Sequence, residues 1–204
     1  MSFAQDCFNV FSRATADYHI ADNVDVSTPN PYQENKLEHT LYAKNYIDAV
    51  QWHLEDIIRD PMIDPVAALQ LKRRIDRSNQ DRTDMVERID DYFMQRYAGV
   101  NVLPDATINT ETPAWALDRL SILALKIYHM QAEAERPDAD EAHRRRCAAK
   151  LEVLLQQRSD LMAAIDRLMD DIAAGRKYMK LYRQMKMYND TDTNPVLYGA
   201  AKGK

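Results

Sequence analysis

Apolar residues recur at helical spacing along almost the whole chain, and this periodicity restricts the fold more than any other feature. In residues 2–21, for example, large apolar side chains occupy every third or fourth position, which is typical of an amphipathic helix. Only 4 glycines and 8 prolines interrupt 204 residues, whereas a sheet needs many turns rich in both. The sequence therefore predicts an all-α protein.

Start and stop signals divide the pattern into five or six mostly long helices. Asp64 followed by Pro65 is a capping residue before a proline at the first helical position, and Thr112 precedes Pro113 in the same way. Asp138 and Glu141 have the spacing of a capping box. The predicted helices span about residues 2–21, 34–59 and 65–98, with a fourth starting at 113 and a fifth near 139.

The end of the chain is open to two interpretations. We favour one long fifth helix that continues past Gly175, and a break at the glycine is the alternative. Asn194-Pro195 cannot lie inside a helix, so residues 189–204 are expected to form an irregular strap with frayed last residues. With a turn-rich connection at 22–33, the prediction is a single domain, 1–204, folded as an antiparallel bundle with a non-helical C-terminal strap.

Charge and apolar content exclude several classes of protein. A net charge of −5 argues against nucleic-acid binding, which usually needs a basic face. The apolar run LSILAL is far shorter than the roughly 20 residues that span a bilayer, so no membrane insertion is expected. Cys7 and Cys147 form no CxxC pair, and the N-terminal stretch has no basic start of a signal peptide. We therefore expect a cytoplasmic protein with reduced thiols.

Polar residues stand where the helical pattern calls for apolar ones. The inward stripe of the third helix is predicted to contain Ile75, Asn79, Arg82, Val86, Ile89 and Phe93. The fourth and fifth helices add Asp118, Arg119, Lys126 and Arg158. Burying a polar group without a partner costs roughly 1–3 kcal/mol, so such residues should occur in satisfied groups.

Two interpretations of these residues remain open. One is a set of buried ion pairs: Arg82 with a carboxylate, Asp118 with Arg158, and His53 with Asp56. The other is a basic pocket for an anionic ligand such as a phosphate, a nucleotide or a carboxylate, which arginine binds in a bidentate way. The candidate ligand-binding residues are Asn79, Arg82, Asp118, Arg119, Lys126 and Arg158. If the helix phase is wrong, some of them face water instead.

The aromatic, Met-rich segment 178–198 adds two further possibilities. Tyr188, Asn189 and Asn194 are candidate ligand-binding residues if this segment folds back as a lid over a cleft. Alternatively, an exposed aromatic C-terminal helix would dock a protein partner or a second copy of the chain. Packing of this helix over the bundle is the simplest interpretation.

Catalytic and metal templates give few candidates. His53 and Asp56 are candidates for a general base and the carboxylate that orients it. Glu87 and Asp90 match half of the acidic pattern with which helical nucleotide hydrolases bind magnesium. No histidine lies three residues after a glutamate, so the di-iron template fails. The sequence thus predicts no cofactor and no assigned metal site.

Four segments resemble an all-helical bacterial family defined only as a domain of unknown function, number forty-two fifty-four. They are NPYQENKLEHTLYAKNYIDAVQWHLEDIIRDP (30–61), SNQDRTDMVERID (78–90), TETPAWALDRLSILALKIYH (110–129) and YRQMKMYNDTDTNPVLY (182–198). The resemblance supports one domain over nearly the whole chain and brings no catalytic residue. Members sometimes lie near genes for cell-envelope glycosyltransferases, which implies a role in glycan metabolism.

These observations give three hypotheses for function, and whether the protein is an enzyme is left open. The first is a protein that holds a phosphorylated or nucleotide-sugar-like molecule in a basic, partly buried pocket. The second is an accessory protein that docks a partner such as a glycosyltransferase through its C-terminal helix. The third is a magnesium-dependent all-α nucleotide hydrolase.

Overall fold

The computed structural model describes residues 2–184, 187 and 190–202 as a helical bundle. Its elements in chain order are α1 (Phe3–Ala21), α2 (Leu37–Ile57), α3 (Pro65–Arg96), β1 (Thr107–Ile108), α4 (Pro113–Glu135), α5 (Glu141–Ala173), β2 (Lys177–Tyr178) and α6 (Pro195–Lys202). α3 and α5, with 32 and 33 residues, are each roughly 50 Å long. The predicted all-α bundle is confirmed. Within the described residues, no helix combines the length and apolar character needed to cross a bilayer.

Local capping chemistry explains where most helices begin. The Asp64 carboxylate accepts a hydrogen bond from the Ala67 amide at 2.9 Å, and Pro65 occupies the first helical position as predicted. α5 starts differently from the prediction: its capping residue is Asp140, which accepts from the His143 amide at 2.6 Å. The capping box expected at Asp138 is therefore wrong by two residues.

α1 lies against α2, α4 and α5, and its apolar face fills the centre of the bundle. The face consists of the residues that the periodicity identified, among them Cys7, Phe8, Phe11 and Ala14, all at most 8% exposed. The α3 stripe is also in the predicted phase, since Ile89 and Phe93 are completely buried. Burial of these side chains is the main stabilising contribution to the fold.

α5 does not continue past Gly175, so the favoured prediction of one long helix is wrong. Gly175 has a φ of +72°, and the Arg176 amide donates to the Asp171 carbonyl at 2.9 Å, which closes the helix end. A Cβ at Gly175 would overlap the carbonyl oxygen of Asn101. The glycine therefore both ends the helix and allows the α3–α4 connection to approach closely.

The chain after Gly175 forms a short parallel pairing that the sequence did not predict. Thr107 pairs with Lys177 and Ile108 with Tyr178. Residues 179–184, predicted as part of an aromatic helix, are not helical. The expected irregular tail also contains α6, because Pro195 is compatible with a first helical position and the Asn194 side chain accepts from the Val196 amide at 3.0 Å.

Candidate functional site

α2 buries a polar face in the middle of the bundle. Lys44, Asn45 and Asp48 are each at most 2% exposed, whereas the apolar Ile57 of the same helix is 46% exposed. Lys44 and Asp48 are four residues apart and therefore lie on one face of the helix, where Lys44 Nζ is 2.5 Å from Asp48 Oδ2. The sequence already places these polar residues on one face of the helix. However, its periodicity also gives an apolar stripe through Ile57, and the two patterns indicate different buried faces.

α3 and α4 complete a buried ion-pair network around these two residues. Lys44 Nζ lies 2.7 Å from Asp118 Oδ1. The Arg82 guanidinium donates from Nη2 to Asp118 Oδ2 at 2.7 Å, and its Nε lies 3.1 Å from Asp48 Oδ1. Two cations thus face two carboxylates and the network has no net charge. The predicted pairing of Arg82 with a carboxylate is present, but Asp118 pairs with Lys44 and Arg82 instead of Arg158.

A chain of hydrogen bonds through uncharged side chains extends the network to α1. Ser121 Oγ donates to Asp48 Oδ2 at 2.6 Å, and Asn45 Nδ2 donates to Ser121 Oγ at 2.9 Å. Thr15 Oγ1 then donates to Asn45 Oδ1 at 2.9 Å. Four helices are therefore held in register through buried polar groups, each of which would be costly to leave without a partner.

The pKa values of the two carboxylates of the network shift in opposite directions. Complete burial raises the pKa of Asp48 above its ordinary value in spite of Lys44 and Arg82. Burial also acts to raise the pKa of Asp118, but attraction to Lys44 and Arg82 outweighs it and holds that pKa below its ordinary value. For Arg82, burial acts against the charge, yet Asp48 and Asp118 together raise its pKa further. Arg82 therefore stays protonated.

A groove with a volume of about 1040 Å³ lies between α4 and α5, with Arg82 of α3 in its wall. We call it the α4–α5 groove. Its lining consists of three cations, two carboxylates, two amides and four apolar side chains: Arg82, Arg119, Lys126; Asp118, Asp160; Gln156, Gln157; and Ile122, Leu123, Val153, Leu161. Four of the residues predicted from sequence as ligand-binding therefore lie around one depression.

The cations of the groove differ in how they are paired. Arg119 is exposed and its Nη2 lies 2.6 Å from Glu111 Oε1, outside the groove lining. Lys126 is exposed and has no ion-pair partner among the described residues. The Arg82 side chain is 29% exposed, and its Nη1 makes no hydrogen bond to a described residue.

The remaining ligand-binding candidates lie elsewhere. Asn79 Oδ1 accepts from Gln51 Nε2 at 2.8 Å between α2 and α3. The Arg158 guanidinium lies over the Phe8 ring, 5.2 Å from its centroid. Asn194 caps α6 as described above. Tyr188 and Asn189 are outside the described residues.

The catalytic and magnesium candidates are separated from one another. His53 and Asp56 share no hydrogen bond or ion pair among the described residues, and Asp56 lines a smaller cavity beside Trp52. The predicted hydrogen bond between them is absent because His53 points to α1. Glu87 Oε2 lies 3.1 Å from Arg183 Nη1, so this acid is engaged by a cation. Asp90 is buried, and burial raises its pKa above the ordinary value.

Three histidines from different helices meet at one end of the bundle, which the sequence analysis did not predict. They are His19 of α1, His53 of α2 and His129 of α4, and one ring nitrogen from each lies within 4.8 Å of the others. Burial, together with the nearby His19, lowers the pKa of His53, and the same effects lower the pKa of His129 to about 4. The three residues form what we call the histidine cluster.

The histidine cluster has one common feature in the sequence, which becomes apparent only when three helices are compared. An aromatic residue precedes each of its members, in the dipeptides Tyr18-His19, Trp52-His53 and Tyr128-His129.

A second group that brings potential metal ligands together is Glu133, His143 and Cys147, where His143 Nε2 lies 2.8 Å from Glu133 Oε2 and 3.3 Å from Cys147 Sγ.

Comparison with known proteins gives one family match. The family model described as "Protein of unknown function (DUF4254)" matches residues 38–181, which contain α2 from its second residue, α3 to α5 and both strands. Of the four segments that carry the resemblance, the last, 182–198, lies outside this range. Neither the curated proteins nor the solved structures gave a match.

Proposed function

The chain belongs to the DUF4254 family, and we propose that it binds an anionic small molecule, of the phosphorylated or nucleotide-sugar class, in the α4–α5 groove. The single observation that carries this proposal is the position of Arg82. Its Nη2 donates to both carboxylate oxygens of Asp118 and its Nε lies 3.1 Å from Asp48 Oδ1, while Nη1 has no hydrogen-bond partner among the described residues. An arginine fixed in this way loses little side-chain entropy when it binds a ligand.

The charge around the groove supports an anionic ligand. Three cations against two carboxylates leave an excess of one positive charge in the lining, although the whole chain carries −5. Arg119 and Lys126 are seven residues apart on α4, about 10 Å along the axis, which suits a ligand with two separated anionic groups. Both are exposed, so ligand binding to them does not require burying an unpaired charge.

The size and the remaining lining support a ligand with a sugar or nucleoside part. A volume of about 1040 Å³ is at the upper end of small-molecule sites, which are roughly 300–1,000 Å³. Gln156 and Gln157 offer amide donors and acceptors to hydroxyl groups, and Ile122, Leu123 and Leu161 offer an apolar surface. Such a mixture is usual for sites that fix both the polar and the apolar parts of a ligand.

A thermal-shift titration with pyrophosphate and with nucleotide sugars, with and without magnesium, tests the proposal. A ligand at about 100 times its dissociation constant stabilises a protein by about 2.7 kcal/mol. For a chain of 150–250 residues this raises Tm by roughly 5–10 °C. The Arg119→Gln/Lys126→Gln double variant should lose the shift, because it removes two cations that bind the anionic groups of the ligand. Both side chains are exposed, so the variant should still fold.

The control is Lys150→Gln, which removes an exposed cation of α5 that does not line the groove. Sodium chloride at matched ionic strength separates specific binding from general salt effects. A shift of equal size in the double variant, or no shift with any ligand of the panel, refutes the proposal.

Docking of a protein partner, such as a glycosyltransferase, is a second candidate function. It is favoured by apolar side chains that the C-terminal segment exposes: Tyr182 and Val196 are each 77% exposed and Met187 is 61% exposed. The Tyr182→Ser/Val196→Ser double variant should then weaken binding to a purified glycosyltransferase in sedimentation experiments. The Arg119→Gln/Lys126→Gln variant should bind as the wild type does, and the reverse pattern contradicts this candidate.

A further inference from the structure

We propose that His19, His53 and His129 form a binding site for a divalent transition-metal ion of the Zn²⁺ class. Imidazole nitrogens are ligands that Zn²⁺, Ni²⁺ and Cu²⁺ prefer. Two nitrogens that bind a tetrahedral zinc ion at about 2.0–2.1 Å lie roughly 3.3 Å apart. The Nε2 atoms of His19 and His53 are separated by 3.3 Å. The third nitrogen lies within 4.8 Å and reaches an ion with a small adjustment of its ring.

The tautomer of His19 is fixed in the form that binds metals. His19 Nδ1 lies 2.7 Å from the carbonyl oxygen of Thr15. A carbonyl oxygen only accepts hydrogen bonds, so Nδ1 carries the proton and the lone pair is on Nε2. Metal-binding histidines commonly donate their second ring nitrogen to a backbone carbonyl in this way.

The Nε2 atoms of His53 and His129 can also offer lone pairs to a cation. Because His19 Nε2 has a lone pair, the contact with His53 Nε2 requires a proton on His53. A metal ion replaces this proton, which moves through solvent to His53 Nδ1, so that both Nε2 atoms become ligands. His129 Nε2 is buried and has no hydrogen-bond partner among the described residues. An unpaired buried nitrogen is costly, and coordination to a metal would satisfy it.

Aromatic rings hold the three imidazoles in a cyclic arrangement. Tyr18 of α1 stacks on His53 of α2 at 5.0 Å between centroids, and Trp52 of α2 stacks on His129 of α4 at 4.8 Å. Tyr128 of α4 in turn lies 4.2 Å from the ring of His19 of α1. Each helix therefore contributes one imidazole and the aromatic ring that orients the imidazole of another helix. Such fixed rings favour metal binding because less freedom is lost.

A fourth ligand position faces the surface. Asp22 ends α1 in a left-handed conformation, and its Oδ1 lies 3.9 Å from His53 Nε2. The Asp22 side chain is 62% exposed, so a carboxylate oxygen or a water molecule can fill this position. Three histidines with one such position form a coordination set used by zinc enzymes.

Titration of untagged, chelator-treated protein with Zn²⁺ by calorimetry, and with Co²⁺ by absorption, tests the proposal. We expect one ion at the cluster and the visible absorption of tetrahedral Co²⁺. Changes to residues that only support metal ligands weaken binding roughly 10–100-fold, so His53→Gln should weaken it by at least about 100-fold. His39→Gln on the same helix is the matched control, because His39 lies outside both potential ligand groups.

The second group, Glu133 with His143 and Cys147, provides the competing explanation, and Co²⁺ distinguishes the two. Binding there would give thiolate-to-metal charge-transfer absorption that Cys147→Ser removes. Binding that survives His53→Gln but disappears in Cys147→Ser overturns the proposal, and so does the absence of binding to the wild type. Circular dichroism checks folding of each variant, and His129→Gln replaces His53→Gln if the latter does not fold.

Discussion

Replacing Lys44 by methionine tests whether the ion-pair network is balanced as described. The Lys44 side chain is completely buried, and its ammonium group lies between Asp48 and Asp118 at 2.5 and 2.7 Å. Methionine keeps most of the volume but removes the charge, so the network changes from neutral to one uncompensated negative charge. Removing one partner of a buried ion pair typically costs about 3–5 kcal/mol. For a chain of this size, the corresponding decrease in Tm is roughly 6–20 °C.

Urea unfolding followed by far-ultraviolet circular dichroism measures this loss as a lower midpoint at an unchanged slope. Lys126→Met is the matched control, since the same substitution at an exposed, unpaired lysine should change stability by no more than about 0.5 kcal/mol. Adding Asp48→Asn to Lys44→Met restores a neutral pair of Arg82 and Asp118 and should recover part of the loss. If Lys44→Met and Lys126→Met are equally stable, Lys44 does not neutralise a buried pair of carboxylates and the network is wrong.

Two further predictions concern other parts of the fold. Gly175→Ala should lower the free energy of unfolding by about 1–3 kcal/mol, because alanine is strained at a φ of +72° and its Cβ would overlap the Asn101 carbonyl oxygen. The control is Gly99→Ala, where an added Cβ has no atom within 4 Å, and it should leave the free energy of unfolding almost unchanged in the same urea experiment. Burial, reinforced by Asp6, raises the pKa of Cys7 to about 12, so above pH 9 the unfolded chain ionises first and stability should fall by up to about 1.4 kcal/mol per pH unit. When urea unfolding is measured at pH 8, 9 and 10, the free energy of unfolding should decrease less with pH for Cys7→Ala than for the wild type. An identical decrease in the two proteins would contradict the assignment.

Features that depend on local chemistry were predictable from the sequence. Asp64 and Pro65 start α3 because capping and the fixed φ of proline act within a few residues. The polar positions Asn79 and Arg82 were placed on the inward stripe of α3, and both are partly buried at helix contacts. The end of α5 was not decided locally: the helical pattern continued past Gly175, and only contact with Asn101 shows why the chain turns there.

The candidate site was predicted in part, for a physical reason. Arg119 and Lys126 were predicted as candidates for one basic pocket, and they do line one groove. The predicted partners of Arg82 did not include Asp48. The reason is that α2 carries one polar and one apolar stripe, and periodicity alone cannot decide which of the two is buried. The histidine cluster depends on how three helices are placed relative to one another. The spacing of residues within one helix contains no information about this placement.

The pairing of β1 with β2 has a consequence for the order in which the chain is completed during synthesis. Thr107 and Lys177 are 70 positions apart, so α4 and α5 must both exist before the two segments meet. Until then the amides of Leu103 and Thr107 lack the acceptors of the folded protein, which are the carbonyls of Gly175 and Arg176. The connection that leaves α3 therefore becomes ordered late, once the ribosome has released the residues after α5. A product terminated at Ala173 would keep its long helices but leave that connection open to proteases.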